Sequence, residues 1–195
     1  KIDLLPQNPP PAAALNNSPQ NNKVYVLLQG WDFDGIYQNH GNWYWMENSR
    51  DNSERYVPIA WSCGPSVSWY LPEIFSYYYK TKSPYDYLVG GPSGIAYNMP
   101  CFMDNNYLNV HTNEAKMTYS SLNIKVANFN IAPYAPSDAA ENQYSKFATD
   151  GYGHCEVGTS TWCPDHNSET HHVKNTMVAN NLYSVGSTTV SGAAN

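Results

Sequence analysis

Apolar residues along the chain follow two rhythms, and their alternation predicts the fold. Lys23-Val-Tyr-Val-Leu-Leu28 is an unbroken apolar and β-branched run, the pattern of a strand buried on both faces. It empties into Gln29-Gly-Trp-Asp-Phe-Asp-Gly35. A second strand is expected at Tyr56–Trp61, where Pro58 would confine it to an edge or keep it short. Val67, Tyr70, Leu71, Ile74 and Tyr78 then recur at spacings of three and four, which predicts a helix over 67–80. Ser66 would cap it, Pro72 would begin its regular part, and Ser83-Pro84 would end it. Tyr85–Val89 reads as a strand running into Gly90-Gly-Pro-Ser-Gly-Ile-Ala-Tyr-Asn-Met-Pro100. Asn105–Ser121 reads as a helix with Tyr107, Leu108, His111, Ala115, and Thr118 or Tyr119 on one side. Leu122–Phe129 reads as a further strand. Strands separated by helices imply an α/β fold with a parallel sheet. Beyond Ile131 the periodicity is lost in Pro, Gly, Asn, Ser and Thr, and no element is predicted there.

In α/β folds, ligands are handled by loops at the carboxyl ends of strands. The segments after Leu28 and Val89 are therefore expected to form one site. Asp32 and Asp34 are the sharpest pair: at an extended strand end, positions i and i+2 face one side about 6–7 Å apart. Paired carboxylates at such range suit glycoside hydrolysis, one kept protonated by its neighbour and an apolar wall. Trp31, Phe33 and Trp61 could build that wall. The alternatives are a plain Asp-x-Asp-Gly turn and a calcium site at Asp32/Asp34; no other cofactor is implied. Gly90–Pro100 permits close backbone approach, with the Ser93 hydroxyl and the Tyr97 phenol as candidate binding groups beside Gly94. Trp31, Trp43, Trp45, Trp61 and Trp69 could stack on sugar rings, or fill the core. In Trp43-Tyr44-Trp45 at least one ring should be exposed. The tight-turn alternative applies equally to Gly90–Pro100. Neither Ser62-Cys63-Gly64 nor Gly91-Pro-Ser-Gly94 is a Gly-x-Ser-x-Gly elbow. His154, Cys155, Cys163, His166, His171 and His172 form an irregular cluster that fits zinc poorly.

Composition narrows the setting. Charged residues make up 13% of the 195-residue chain, against roughly 25% in a typical domain, while Tyr reaches 17 and Trp 6. The net charge of −6, with no basic run, argues against nucleic acid and against an anionic membrane surface. No apolar window is long enough to span a bilayer. The sequence begins at Lys1 without a signal-like segment, as expected of a processed form or an excised piece. Four cysteines, Cys63, Cys101, Cys155 and Cys163, suggest two disulfides in an oxidising compartment, hence a secreted or extracellular protein; the alternative is four unpaired cysteines, two of them filling the core. Asn16-Asn-Ser18 is a formal glycosylation sequon, weakened by Pro19.

Four segments in order carry a resemblance: Trp31-Asp-Phe-Asp-Gly35, Pro58-Ile-Ala-Trp-Ser-Cys-Gly-Pro65, Pro84-Tyr-Asp-Tyr-Leu-Val89 and Gly91–Pro100. From Lys23 to about Phe129 the chain resembles the GxGYxYP-motif family of putative glycoside hydrolases. Gly94, Tyr97 and Pro100 stand where the motif has them, whereas Ala96 replaces its second Gly and Met99 its second Tyr. In the Asp turn, Phe33 and Gly35 also depart from the family's residues. The resemblance implies a fold similar to part of a (β/α) barrel, shortened here, and carbohydrate as partner. The organisation expected is a Pro/Asn-rich extended arm over 1–22, an α/β glycosidase-like domain over 23–132, and a loop-rich extension of it over 133–195. The functional expectation is an extracellular carbohydrate-active protein. It would be a glycoside hydrolase with Asp32 and Asp34 as catalytic residues and Trp31, Trp61, Ser93, Gly94 and Tyr97 binding substrate. The alternative is a non-catalytic structural or carbohydrate-binding component of an extracellular assembly that packs copies of itself.

Overall fold

The computed structural model describes residues 29–30, 44, 46–47, 58–91, 93–99, 102–130, 138–155, 171–173 and 176–179. Among the described residues seven strands form one sheet: β1 Gln29–Gly30, β2 Ile59–Cys63, β3 Asp86–Gly90, β4 Val126–Asn130, β5 Gly151–Cys155, β6 His171–Val173 and β7 Thr176–Ala179. Their spatial order is β1-β2-β3-β4-β5-β7-β6. Every neighbouring pair is parallel except β6 with β7. Helices fill the connections: α1 Val67–Tyr70 and α2 Pro72–Thr81 between β2 and β3, α3 Asn105–Leu122 between β3 and β4, and α4 Asp138–Tyr144 between β4 and β5. The architecture is mixed α/β with a parallel sheet, as the strand–helix alternation predicts. Among the described residues that sheet is open, and no closed barrel is formed.

Local chemistry explains where the elements depart from their predicted bounds. Pro58 stands before β2 rather than inside it, and the first ladder bond runs from the Ile59 N–H to the Tyr85 carbonyl at 2.9 Å. No donor is lost, so β2 takes an interior place between β1 and β3 instead of the expected edge. The helix expected over 67–80 is two helices. Leu71 sits at φ −135°, ψ 58°, because the residue before a proline is pushed out of the α region. Pro72 then opens α2, where a missing N–H costs nothing. Ser66 makes no side-chain cap bond; it belongs to the turn that precedes α1.

Helix α3 is closed at both ends. The Asp104 carboxylate accepts the Asn106 and Tyr107 N–H groups at 2.9 and 2.8 Å, an N-cap worth about 1 kcal/mol. At the other end Asn123 adopts the left-handed conformation, φ 51°. The Tyr79 hydroxyl of α2 donates to the Leu122 carbonyl at 2.7 Å, so one helix satisfies an orphan acceptor of the next.

One buried cluster joins Phe75 and Tyr79 of α2, Leu88 of β3, Leu108, Ala115, Tyr119 and Leu122 of α3, and Ala140 and Tyr144 of α4. The region after Ile131, where no element is predicted from sequence, contributes α4 and three strands to this frame. Residues 1–28, including the expected arm and the strand over 23–28, lie outside the described residues. Tyr44 is exposed, as the Trp43-Tyr44-Trp45 pattern requires of at least one ring. No helix among the described residues is long and apolar enough to cross a membrane.

Candidate functional site

Parallel pairing brings the carboxyl ends of β1, β2 and β3 to one edge, with Gly30 in register with Trp61 and Cys63 with Gly90. The loops leaving β2 and β3 are tied together there. The Gly91 N–H donates to the Cys63 carbonyl at 3.0 Å, and the Ser66 N–H to the Ile95 carbonyl at 2.9 Å. Within the second loop the Ser93 N–H closes a turn onto the Ala96 carbonyl at 3.2 Å. The Asn98 amide donates to the same carbonyl at 2.8 Å.

The underside of this loop is held by three side chains from α3 and α4. The Tyr119 hydroxyl donates to the Gly94 carbonyl at 3.1 Å, and the Tyr144 hydroxyl donates to the Ser93 carbonyl at 2.6 Å. Burial pushes both phenols far above their ordinary pKa, so they remain protonated donors. His111 completes the floor. Its ring stacks on Tyr144 at 5.6 Å and meets Phe147 edge-on at 6.0 Å. It is buried, and neither ring nitrogen makes a hydrogen bond of acceptable geometry. Desolvation lowers its pKa to about 4; the Ser93 backbone, near but not well aligned, opposes this only in part. His111 is therefore a neutral, apolar-packed ring.

This floor dictates the glycines. A side chain at Gly90 would overlap the Tyr119 hydroxyl. Gly94 has φ +101°, and a β-carbon there would lie 2.5 Å from His111 Cε1. Ala96 is not among the residues with positive φ, so its methyl group is accommodated without backbone strain.

The residues expected to bind substrate separate. Tyr97 is 47% exposed on the rim. Ser93 is fully buried and offers no surface to a ligand. Gly94 faces the floor through its contact with His111. Trp61 is 8% exposed and belongs to the core, its indole N–H donating to the Asp86 carboxylate at 2.7 Å. Asp86 also accepts the Ser83 N–H at 2.8 Å and opens β3 at its amino end. Trp61 thus reaches away from the carboxyl edge, locking the Ile-Ala-Trp-Ser segment to the Tyr-Asp-Tyr segment. Trp31, Asp32 and Asp34 lie outside the described residues.

The loop and the start of α3 also border an open groove of about 340 Å³, lined by Asn98, Met99, Phe102, Met103, Asp104 and Tyr107. The helical period assigns Tyr107 to the buried side, yet it is exposed while Leu108 and His111 turn inward. The clamp residues Tyr119 and Tyr144 carry no sequence motif; only long-range contacts reveal them.

Cys63 has a free thiol. It is fully buried, donates to the Val89 carbonyl at 3.4 Å, and is pushed up to about 12 by desolvation. The expected pairing of all four cysteines in two disulfides does not hold, because this strand position seals Cys63 inside the core. Among the described residues no group of three His, Cys, Asp or Glu side chains could hold a metal. The side chains of His154, Cys155, Cys163, His166, His171 and His172 are outside them.

A family model described as the GxGYxYP putative glycoside hydrolase C-terminal domain matches residues 22–184. The chain belongs to this family. Its name pattern falls on Gly94, Tyr97 and Pro100, with Ala96 and Met99 as departures; of these, Gly94, Ala96, Tyr97 and Met99 lie on the clamped loop and the groove beside it. The chain is also similar to a crystal structure of a putative hydrolase from Bacteroides thetaiotaomicron VPI-5482, with 18% identity and a TM-score of 0.69. That match covers 91% of this chain and 33% of the other, so the chain spans about a third of the length of the structure it resembles. No curated protein matches.

Proposed function

We infer that the chain is a carbohydrate-active domain whose working face is the carboxyl edge of β1–β3, and that it takes part in glycoside hydrolysis. Membership of a family described as glycoside hydrolases carries this reading. The geometry supports it. Gly30 ends β1 at the same edge as Gly90, with β2 between them, so the two strands lie about 10 Å apart. Asp32 and Asp34 follow Gly30 by two and four positions in the sequence. Asp32 and Asp34 are then the carboxylate pair, one acting as general acid and the other as base or nucleophile. Tyr97 stands on the facing loop as a sugar-contacting phenol. The strand order, sequential from β1 to β5, supports a sheet that forms part of a (β/α) barrel. Low charge and abundant Tyr support action outside the cell.

The test is hydrolysis of a panel of polysaccharides and aryl glycosides by the natural chain, Asp32→Asn and Asp34→Asn. Loss of at least 100-fold in kcat in either variant, with unchanged folding, is expected. Equal turnover by all three proteins would remove the two acids from the reaction.

A further inference from the structure

The groove beside the clamped loop has a built character of its own. Phe102 and Tyr107, 65% and 51% exposed, stand side by side on its lining. Met99 and Met103 line the same groove. The polar groups at this wall are held in place by bonds to their own loop and helix. The Asp104 carboxylate is occupied as the N-cap of α3. Asn98 links the Ala96 carbonyl to the Tyr107 hydroxyl, the latter at 3.4 Å.

Aromatic faces bordered by an amide, a phenol and an acceptor carboxylate match the surface of a pyranose ring. Such a ring presents C–H groups on its faces and hydroxyls around its edge. A volume of about 340 Å³ lies at the lower end of the range for small-molecule sites, enough for one or two sugar units. The groove is continuous with the loop that carries Tyr97. It is lined at Met99, the position where the family pattern has Tyr. We propose that this groove is a sugar-binding subsite, with Phe102 and Tyr107 as the stacking platform and Asn98 as the polar contact. Placing it as an extension of the hydrolytic site rests on the reading above; the binding itself does not.

The experiment is calorimetric titration of the full chain carrying Asp32→Asn and Asp34→Asn with cello-, xylo-, chito- and malto-oligosaccharides of three to six units. In that background, saturable binding of at least one series is expected. Phe102→Ala and Tyr107→Ala should each weaken it about fivefold or more, while Tyr107→Phe stays within threefold and Val110→Ala, exposed on the same helix, stays unchanged. Because both rings are exposed, circular dichroism melts should show the variants folded. No saturable binding in any series, or alanine variants within twofold of the parent, would overturn the proposal. Ring-dependent binding by a chain that hydrolyses nothing would uphold the subsite and sink the hydrolase reading. Asp32-dependent hydrolysis indifferent to Phe102 and Tyr107 would do the reverse.

Discussion

The loop after β3 has two sides built on opposite terms. Below, Tyr119, Tyr144 and His111 are buried against Ser93 and Gly94, with two hydroxyl-to-carbonyl bonds fixing the backbone. Above, Tyr97 stands about half in solvent, and Phe102 and Tyr107 are exposed along a groove. The underside tolerates almost no added atom, and the rim has room. The difference teaches why motif residues along one short segment are not equally constrained: Gly94 is buried against His111, whereas Ala96 and Met99 are only partly buried and Met99 lines the groove. Substitutions below should therefore register as lost stability, and substitutions above as lost binding.

The sharpest way to break this division is at the glycines. Gly94→Ala combines a positive φ with a collision at His111 and should cost about 3–4 kcal/mol in chemical unfolding. Gly90→Ala, which must displace the Tyr119 hydroxyl, should cost about 2–3 kcal/mol. Ala96→Gly should stay within about 1 kcal/mol. If Gly94→Ala and Ala96→Gly were equally mild, the clamped underside would be wrong.

His111 gives the next effect, and its sign follows from burial. The unfolded imidazole takes its proton near pH 6.5, whereas the folded one resists until about 4. Between those values the unfolded state binds more protons, so stability falls as pH falls through that window and then levels off. The loss is on the order of 3 kcal/mol. Urea titrations of the natural chain and His111→Gln from pH 7 to 4 should show that slope shrinking in the variant. Parallel slopes would mean that the ring is not held neutral.

Smaller effects should follow from the phenols and the rim. Tyr144→Phe deletes the donor to Ser93 and should cost about 1–2 kcal/mol, measured by unfolding. Tyr97→Ala should change stability by less than about 0.5 kcal/mol yet reduce kcat/KM at least tenfold under the proposed function. A reversed ranking of these two in stability would erase the contrast between the two sides.

The legible parts of the fold were those written in local periodicity. The Val67–Lys80 and Asn105–Ser121 patterns and the apolar runs beside them predict the β2–β4 region with errors of a few residues. The errors are themselves local chemistry, such as Leu71 leaving the α region before Pro72. After Ile131 the strands, three to five residues long, lie among Gly, His, Asn, Ser and Thr without the long apolar run that marks a buried strand, and α4 covers only seven residues. The site was legible as a loop but not as a machine. Gly94 and Tyr97 stood out by residue type, while Trp61 was misplaced because a Trp near a strand end does not announce which way its ring turns. Its bond to Asp86, 25 positions on, decides that. His111, Tyr119 and Tyr144 look like ordinary helix residues until packing sets them beneath one loop.

The central claim is that sugar is handled at the carboxyl edge of β1–β3, on the rim and not the floor. A crystal structure of the Asp32→Asn variant with a bound oligosaccharide tests this most directly. The account predicts electron density for sugar rings against Tyr97 and across Phe102 and Tyr107, with Ser93 and His111 still buried beneath. Sugar bound at the amino end of the sheet beside Asp86, or on a face remote from the GxGYxYP loop, would contradict it.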